Sequence, residues 1–436
     1  MIRVLDSAQD GFLSELDQLL EWDTREDIGI EQTARSVLEE IRLHGDEAVL
    51  RYTAQFDELA ADSVAALKVT RAQMQDALDK IDQTTRIALQ NAAQRIRRYH
   101  EHQLEDSWSF EDELGNRLGQ EIRPLERVGV YVPGGQASYP SSVLMTLIPA
   151  RVAGVDELIV TVPTPRGEVN QTVLAALAIA EAEHVFTIGG AQAIGALAFG
   201  TETIPRVDKI VGPGGAYVAA AKRLVFGVVG IDLIAGPSEI LVIADGSVDV
   251  EWSVLDLFSQ AEHDAAAQAI LITPDQKTLE RVREYIDARL PGMQRQDTIR
   301  ASLSDRGILI KCRDTDEAVA LANRIAPEHL ELHVQDAEAL VPAIRNAGAI
   351  FCGPHAGETL GDYVAGPSHV LPTFGTARFA SPLGVYDFQK RSSVIRISEQ
   401  GAAALADVAV PLATSEGLQA HALAAAARAQ QKKVSD

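Results

Sequence analysis

A series of β-branched runs, each bordered by a proline or glycine turn, constrains the fold more than any other feature of this sequence. The first run lies at 128–132 and is followed by Pro133-Gly134-Gly135. Helical patterns fill the segments between four further runs, at 158–162, 184–188, 209–211 and 240–243. Strands that alternate with helices predict right-handed βαβ units in a mainly parallel sheet.

A second set of alternating strands and helices follows residue 265. Its predicted strands lie at 269–272, 307–310, 330–332 and 349–351, and its predicted helices at 275–290 and 315–325. We therefore predict an α/β protein with two Rossmann-like domains, the smaller inserted in the larger. The larger domain comprises 24–130 and 238–383, and the inserted domain comprises 131–237.

The two ends of the chain have a different character. Residues 1–23 carry an apolar stripe at helical spacing, which predicts a helical N-terminal arm. Residues 384–436 are predicted to form a separate C-terminal tail, helical and alanine-rich at 418–430.

The charge balance restricts the partners of the protein. With 62 acidic and 39 basic residues, the net charge is −23. Such a surface repels nucleic acid and anionic membranes, so we expect neither as a partner. Two cysteines are too few for a disulfide framework or a cysteine-rich zinc site. The first ten residues lack the pattern of a signal peptide, and no apolar run suggests a membrane span, so a cytoplasmic protein is expected.

Chemistry-bearing residues first appear at 258–264. Gln260 and His263 are three residues apart, so on a helix they share one face. A carbonyl oxygen beside an imidazole suits a cation such as Zn²⁺, whereas the alternative is an exposed polar helix face. Further acidic and histidine residues occur downstream, in Pro327-Glu328-His329, Gly361-Asp362-Tyr363 and the segment from Glu416 to His421.

Three glycine turns follow predicted strands, at 134–135, 189–190 and 212–215. Ligands of open α/β sheets bind at the carboxyl ends of strands, and glycines allow a phosphate to approach backbone N–H groups. None of the turns matches the G-x-G-x-x-G pattern, so simple tight turns remain the alternative interpretation.

Taken together and in order, these motifs resemble those of the histidinol dehydrogenase family over essentially the whole chain. The matching segments are 129–135 (GVYVPGG), 189–197 (GGAQAIGAL), 235–239 (AGPSE), 259–264 (SQAEHD), 326–332 (APEHLEL), 360–363 (LGDY), 369–373 (HVLPT) and 377–388 (ARFASPLGVYDF).

The resemblance implies a role for each matching residue. Zinc, one ion per subunit, would be bound by Gln260, His263, Asp362 and His421. The acid/base pair would be Glu328 and His329. The inserted domain would bind NAD, with contacts from Tyr131, Gln192 and Gly215. The substrate L-histidinol would contact Ser238, Gln260, His263, His329, Asp362, Glu416 and His421.

The implied reaction oxidises L-histidinol to L-histidine through bound L-histidinal, with two NAD⁺. His329 would take the hydroxyl proton, Glu328 would activate water, and zinc would mainly orient the substrate. The family also implies a homodimer in which the C-terminal tail brings Glu416 and His421 into the site of the other subunit.

Gly215 departs from the family pattern, which usually reads GPGN where this chain has Gly212-Pro213-Gly214-Gly215. Loss of one side-chain hydrogen bond predicts NAD affinity that is weaker by a few- to about tenfold. The alternatives to the implied function are a paralogous dehydrogenase of another small alcohol, a zinc hydrolase that does not use NAD, and a catalytically silent binding protein. The paralogous dehydrogenase is disfavoured because the chain retains Ser238, Glu416 and His421. The hydrolase is disfavoured by the glycine turns, and the silent binding protein by the Glu328–His329 pair.

Overall fold

The computed structural model describes residues 2–21, 27–134 and 139–429. The strands are β1 (Arg3–Asp6), β2 (Lys68–Val69), β3 (Trp108–Glu111), β4 (Arg117–Pro124), β5 (Arg127–Tyr131), β6 (Glu157–Thr161), β7 (His184–Phe186), β8 (Lys209–Val211), β9 (Gly230–Ile231), β10 (Glu239–Ala244), β11 (Gln268–Thr273), β12 (Ile308–Lys311), β13 (His329–His333), β14 (Ala349–Cys352) and β15 (Gln389–Arg396). The helices are α1 (Phe12–Leu20), α2 (Asp27–Phe56), α3 (Arg71–Lys80), α4 (Gln83–Glu101), α5 (Pro140–Val152), α6 (Gln171–Ile179), α7 (Gly190–Phe199), α8 (Ala216–Val225), α9 (Val250–Ala261), α10 (Gln276–Arg289), α11 (Gln296–Asp305), α12 (Thr315–Ile325), α13 (Ala337–Leu340), α14 (Glu358–Leu360), α15 (Glu399–Ser415) and α16 (Gln419–Ala429).

The first sheet has the strand order β1-β12-β11-β10-β13-β14, and its neighbouring strands are parallel. Every residue of β10 and β11 is buried, because apolar clusters cover both faces of the sheet. Doubly covered parallel strands are continuous apolar runs. This explains why the sequence pattern located them correctly.

The second sheet has the order β2-β7-β6-β5-β8-β9 and is parallel except where β2 meets β7. Helices α3 to α6 supply the apolar cluster on one face, and α2, α7 and α8 supply the other. The fold class is therefore α/β with two layered sheets, as predicted.

Helices α2 to α4 pack on the second sheet, although the sequence assigned 24–130 to the larger domain. Both sheets lie in one compact unit, formed by residues 1–103 and 125–388. The predicted domain boundaries, at 23/24, 130/131, 237/238 and 383/384, stay a prediction.

Strand β5 lies at the centre of the second sheet, with β6 on one side and β8 on the other. The chain order reverses there, so the carboxyl end of β5 is a topological switch point. The three glycine turns follow β5, β7 and β8, which agrees with the prediction that they come after strands. Gly135, in the first of these turns, lies outside the described residues.

The second compact unit comprises 104–124 and 389–436. Its antiparallel sheet has the order β15-β4-β3, and α15 and α16 follow. The helix predicted at 418–430 corresponds to α16. The tail is not helical throughout, however, because it contains β15, which pairs along the length of β4.

The N-terminal arm is helical where its apolar stripe lies, since α1 buries Phe12 and Leu16. The sequence analysis missed β1, which is an edge strand of the first sheet and pairs with β12. The predicted end of the arm at residue 23 lies outside the described residues. In the part of the chain that the structure describes, every helix is too short or too polar to cross a membrane.

Candidate active site

One strand of the first sheet carries three ionisable side chains on a single face. In β13, His329, Glu331 and His333 alternate with Leu330 and Leu332, and all five residues are buried. The two leucines pack in an apolar cluster, so the ionisable residues face the opposite side. Ionisable groups are rarely buried without partners, so this face is a candidate site.

His329 begins β13, beside the start of β10. Its Nδ1–H donates to the backbone oxygen of Glu239 over 3.0 Å, and its Nε2 lies 3.2 Å from Oδ1 of Asp362. Both ring nitrogens therefore face acceptors, which suits an imidazolium. Glu328 lies alongside, where Oε2 accepts the Glu239 N–H at 2.8 Å and lies 3.6 Å from His329 Nδ1.

The ionisable groups around His329 shift one another's pKa values. Burial raises the pKa of Glu328 and of Glu358 to about 8 in each case. Burial also acts to lower the pKa of His329, but Glu328, Glu358 and Asp362 outweigh it and raise that pKa well above its usual value. Burial acts to raise the pKa of Asp362, yet the hydrogen bond from His329 prevails and that pKa is lowered. The centre thus keeps an ionised Asp362 beside a protonated ring.

Gln260 lies in the last turn of α9 and is completely buried. Among the described residues, neither its Oε1 nor its Nε2 has a hydrogen-bond partner. An unsatisfied buried amide costs roughly 1–3 kcal/mol, so the Gln260 side chain is well suited to bind a ligand that satisfies it.

His263 does not share a helical face with Gln260, contrary to the sequence expectation. Helix α9 ends at Ala261, and His263 lies in the following turn, where its N–H donates to the Gln260 carbonyl over 3.2 Å. The turn keeps the two residues adjacent. Desolvation lowers the pKa of His263 while the Asp362 carboxylate opposes the change, so these two side chains also act on each other.

A carboxamide, an imidazole and a carboxylate therefore come from Gln260, His263 and Asp362. This is an N/O donor set that suits zinc, and the unpartnered amide of Gln260 fits the same group. The backbone of Asp362 is also fixed by a hydrogen bond, because His369 Nδ1–H donates to its carbonyl oxygen over 2.9 Å. His369 Nε2 accepts from the Ser142 hydroxyl at 3.1 Å.

The start of β10 contributes one residue that the sequence analysis predicted and one that it missed. Ser238 directly precedes the strand and is half-buried. Glu239 follows, and its Oε1 accepts the N–H of Phe374 at 2.7 Å while burial raises its pKa to about 7. Glu239 lies in the AGPSE motif, and that motif was the available signal.

Glu358 was also missed, although it lies four residues before Asp362. Its carboxylate is 4.0 Å from His329 Nδ1 and accepts from the Ser259 hydroxyl at 3.3 Å. The ligand atoms of His329, Glu358 and Asp362 all lie within 4.8 Å of one another.

A second group with the same compactness comprises Asp256, Glu331 and His333. Nε2 of His333 lies 3.4 Å from Glu331 and 3.7 Å from Asp256, and Ser253 lies 2.8 Å from its Nδ1. Burial lowers the pKa of His333 to about 4, so the ring is neutral near pH 7. The sequence analysis did not identify this group.

Glu416 and His421 belong to the second unit. Glu416 caps the end of α15, His421 lies in α16, and both are exposed. Their assignment to the substrate and metal site stays a prediction.

The predicted NAD contacts lie at the carboxyl edge of the second sheet. Tyr131 ends β5, and its hydroxyl accepts the N–H of Gly190 at 3.2 Å. Burial raises the pKa of Tyr131 to about 12, which keeps the hydroxyl protonated. Gln192 lies in the first turn of α7, and Gly215 is the N-cap of α8. The Tyr131 hydroxyl and Gln192 thus both lie at the start of α7.

A buried ion pair anchors the turn at 212–215. Lys222 Nζ donates to the Gly212 carbonyl over 2.9 Å and pairs with Asp232, whose Oδ2 accepts the Gly212 N–H at 2.7 Å. Gly212 has φ 110°, and a Cβ there would lie 2.1 Å from the backbone oxygen of Tyr131. This position therefore requires glycine.

Fold and site together define an α/β protein with a candidate metal centre on one sheet and a candidate ligand-binding edge on the other. A family model described as histidinol dehydrogenase matches residues 21–429. The chain is 58% identical over 429 residues to histidinol dehydrogenase of Nitrosomonas europaea, covering 98% of this chain and 99% of that one. It is 57% identical to the Dechloromonas aromatica protein of the same name, covering 97% and 98%.

A crystal structure of histidinol dehydrogenase from Elizabethkingia anophelis is 32% identical and superposes with a TM-score of 0.90, with 98% of each chain covered. The chain belongs to the histidinol dehydrogenase family.

Proposed function

We propose that the protein oxidises L-histidinol to L-histidine through bound L-histidinal and uses two NAD⁺. The proposal depends most on one observation. The buried Glu328–His329 pair lies beside Asp362, which is 3.2 Å from the ring and belongs to a zinc-type donor set. Family membership favours histidinol over another alcohol.

His329 is the proton acceptor for the substrate hydroxyl. Because its Nδ1–H is committed to the Glu239 carbonyl, Nε2 is the nitrogen that exchanges the proton. Glu328, Glu358 and Asp362 all raise the pKa of His329, so the use of Asp362 as a metal ligand would lower that pKa and favour the ring as a base.

Glu328 acts in the second half of the reaction. Its carboxyl group is buried beside the ring and has a raised pKa of about 8, so it can exchange a proton near neutral pH. It takes a proton from the water that adds to the aldehyde, and His329 then assists the second hydride loss. Neither cysteine lies in a matching motif, so no thiol intermediate is needed.

Zinc and NAD fit residues that are present. Zinc would be bound by Gln260, His263 and Asp362 of one subunit together with His421 of the other subunit. NAD would be contacted by Tyr131, Gln192 and Gly215. When bound, zinc supplies a Lewis acid that orients the imidazole and amine of the substrate, and each NAD⁺ accepts one hydride. Ser238 and Glu416 complete the proposed substrate contacts.

The proposed assembly is a homodimer with shared active sites. Its support is the second unit, where several large apolar side chains are exposed, as at surfaces that pack against another chain: Val394, Ile395, Leu405, Val408, Leu412 and Leu423. We also propose a cytoplasmic location, since both cysteines are free.

Counting NADH per histidinol tests the reaction. About two NADH are expected, because oxidation of an alcohol to a carboxylate removes two hydrides. One NADH per substrate would indicate a simple alcohol dehydrogenase, and none would leave a hydrolase or a binding protein.

Mixing two inactive variants tests the shared site. In a dimer of one His329→Ala and one His421→Ala subunit, a crossing tail leaves one site with both native residues. Random subunit exchange should then restore about a quarter of the native activity. If each tail serves its own subunit, every site in the mixture carries one defect and activity stays absent.

A further inference from the structure

A buried carboxylate outside the proposed site residues contacts one of them. Asp57 follows α2 and is 7% exposed. Its Oδ2 accepts from Nε2 of Gln192 at 3.3 Å. The Gly189 N–H also faces this carboxylate, and the two donors oppose the burial that raises the pKa of Asp57. Asp57 therefore lies at the start of α7, where the helix dipole favours a negative charge.

This contact determines which end of the Gln192 amide is free. A carboxylate only accepts hydrogen bonds, so the amide must turn its NH₂ group toward Asp57. The carbonyl Oε1 is then directed elsewhere. Among the described residues it has no hydrogen-bond partner, although Gln192 is completely buried.

Beside Oε1 the backbone carries no side chain. At Gly190, a Cβ would come within 2.6 Å of that oxygen. Gly190 also gives its N–H to the Tyr131 hydroxyl. The glycine thus keeps a side chain away from an acceptor that the protein itself leaves unsatisfied, and an unsatisfied buried acceptor is costly.

We propose that Asp57 is a positioning residue for NAD, which orients Gln192 so that Oε1 accepts a hydrogen bond from a donor group of the cofactor. This inference rests on the proposed function, in which Gln192 contacts NAD. Asp57 itself makes no contact with the cofactor and acts through the amide alone.

A reciprocal exchange of the two side chains tests the proposal. Asp57→Asn presents an NH₂ group to Gln192 and favours a flipped amide, which turns a donor toward the cofactor. Gln192→Glu places two carboxylates together. Each single variant should weaken NAD binding by about tenfold, the effect of one mismatched hydrogen bond.

The double variant Asp57→Asn with Gln192→Glu restores the pairing with the polarity reversed. The amide introduced at position 57 then donates to the carboxylate introduced at position 192, whose second oxygen is again an acceptor for the cofactor. The NAD dissociation constant of this variant, measured by calorimetry on the zinc-loaded protein, should return to within about threefold of the native value. Additive losses in the double variant would overturn the proposal.

Asp46→Asn is the matched control. Asp46 lies in α2 and accepts from the Thr203 hydroxyl, away from α7's first turn. It should change the melting temperature without changing NAD affinity, and an equal loss of affinity would mean that Asp57 acts only through stability. If the native protein binds no NAD, the proposed function fails. If it binds NAD and the single variants bind equally well, only the role of Asp57 fails.

Discussion

The two sheets of the main unit are built alike but carry their candidate sites at opposite edges. In the second sheet Tyr131 ends β5, and the turns with Gln192 and Gly215 follow β7 and β8, so the site is at the carboxyl edge. In the first sheet Ser238 and His329 lie at the starts of β10 and β13, at the amino edge.

The difference shows which part of each site depends on sheet topology. The carboxyl edge offers helix N-termini and glycine turns, which suit a phosphate-bearing ligand and follow the general rule for open α/β sheets. At the amino edge lie instead the carboxyl end of α9 and the segment around Asp362, whose side chains offer donor atoms for a metal ion. Because the two candidate sites lie on different sheets, we expect that metal binding and NAD binding can be altered independently.

The largest expected effect comes from His329→Asn at the amino edge. Removing the proton acceptor should lower kcat by about 10²–10⁴-fold. The NAD dissociation constant, measured by calorimetry, should not change. His333→Asn is the control on the same strand face, and it should cost stability but less than about tenfold in kcat. Comparable loss of kcat in both variants would place the chemistry elsewhere.

Lys222→Met probes the carboxyl edge. It leaves Asp232 as an uncompensated buried charge, because both side chains are 2% exposed. Stability should fall by about 3–5 kcal/mol in urea unfolding, and NAD affinity should weaken as the 212–215 turn loosens. Zinc content should be unaffected. Lys209→Met is the control, since the more exposed Lys209–Asp387 pair lies outside the turn. Equal NAD effects in both variants would contradict an anchoring role.

Two buried amides allow the comparison to be tested in both directions. Gln260→Ala should weaken zinc binding by at least about tenfold, the minimum expected even for an outer-sphere contact, and leave NAD binding intact. Gln192→Ala should weaken NAD binding and leave zinc bound. Metal analysis after dialysis against a chelator, with NAD calorimetry, measures both quantities. Loss of both ligands in either variant would show that the edges are not independent.

The smallest expected effect is that of Gly215→Asn. Gly215 has φ −65°, and a Cβ added there would meet no atom within 4 Å, so asparagine fits without strain. An added hydrogen bond to NAD should lower its KM by a few- to about tenfold. If the side chain caps α8 instead, the melting temperature rises and KM stays constant, which would contradict the explanation offered for this departure.

Sequence patterns predicted the sheets where burial leaves a signal. β10 and β11 are apolar at almost every position, and their predicted and observed positions agree to within one residue at each end. β15 was missed because it is exposed at nearly every position and lies in an antiparallel pair. A strand without a buried face shows no hydrophobic periodicity.

The candidate site was predictable only in part for a similar reason. Gln260, His263, Glu328, His329 and Asp362 lie in motifs that resemble a family. Glu239 and Glu358 reach His329 only because β10, β13 and β14 are neighbours in the sheet. Strand order depends on the packing of the whole unit and cannot be inferred from local spacing.

The most direct test is to locate zinc by anomalous scattering in crystals of the zinc-loaded protein. The account predicts a peak about 2.0–2.2 Å from donor atoms of Gln260, His263 and Asp362, at the amino edge of the first sheet. A peak between Asp256, Glu331 and His333 instead, or density at neither group, would contradict it.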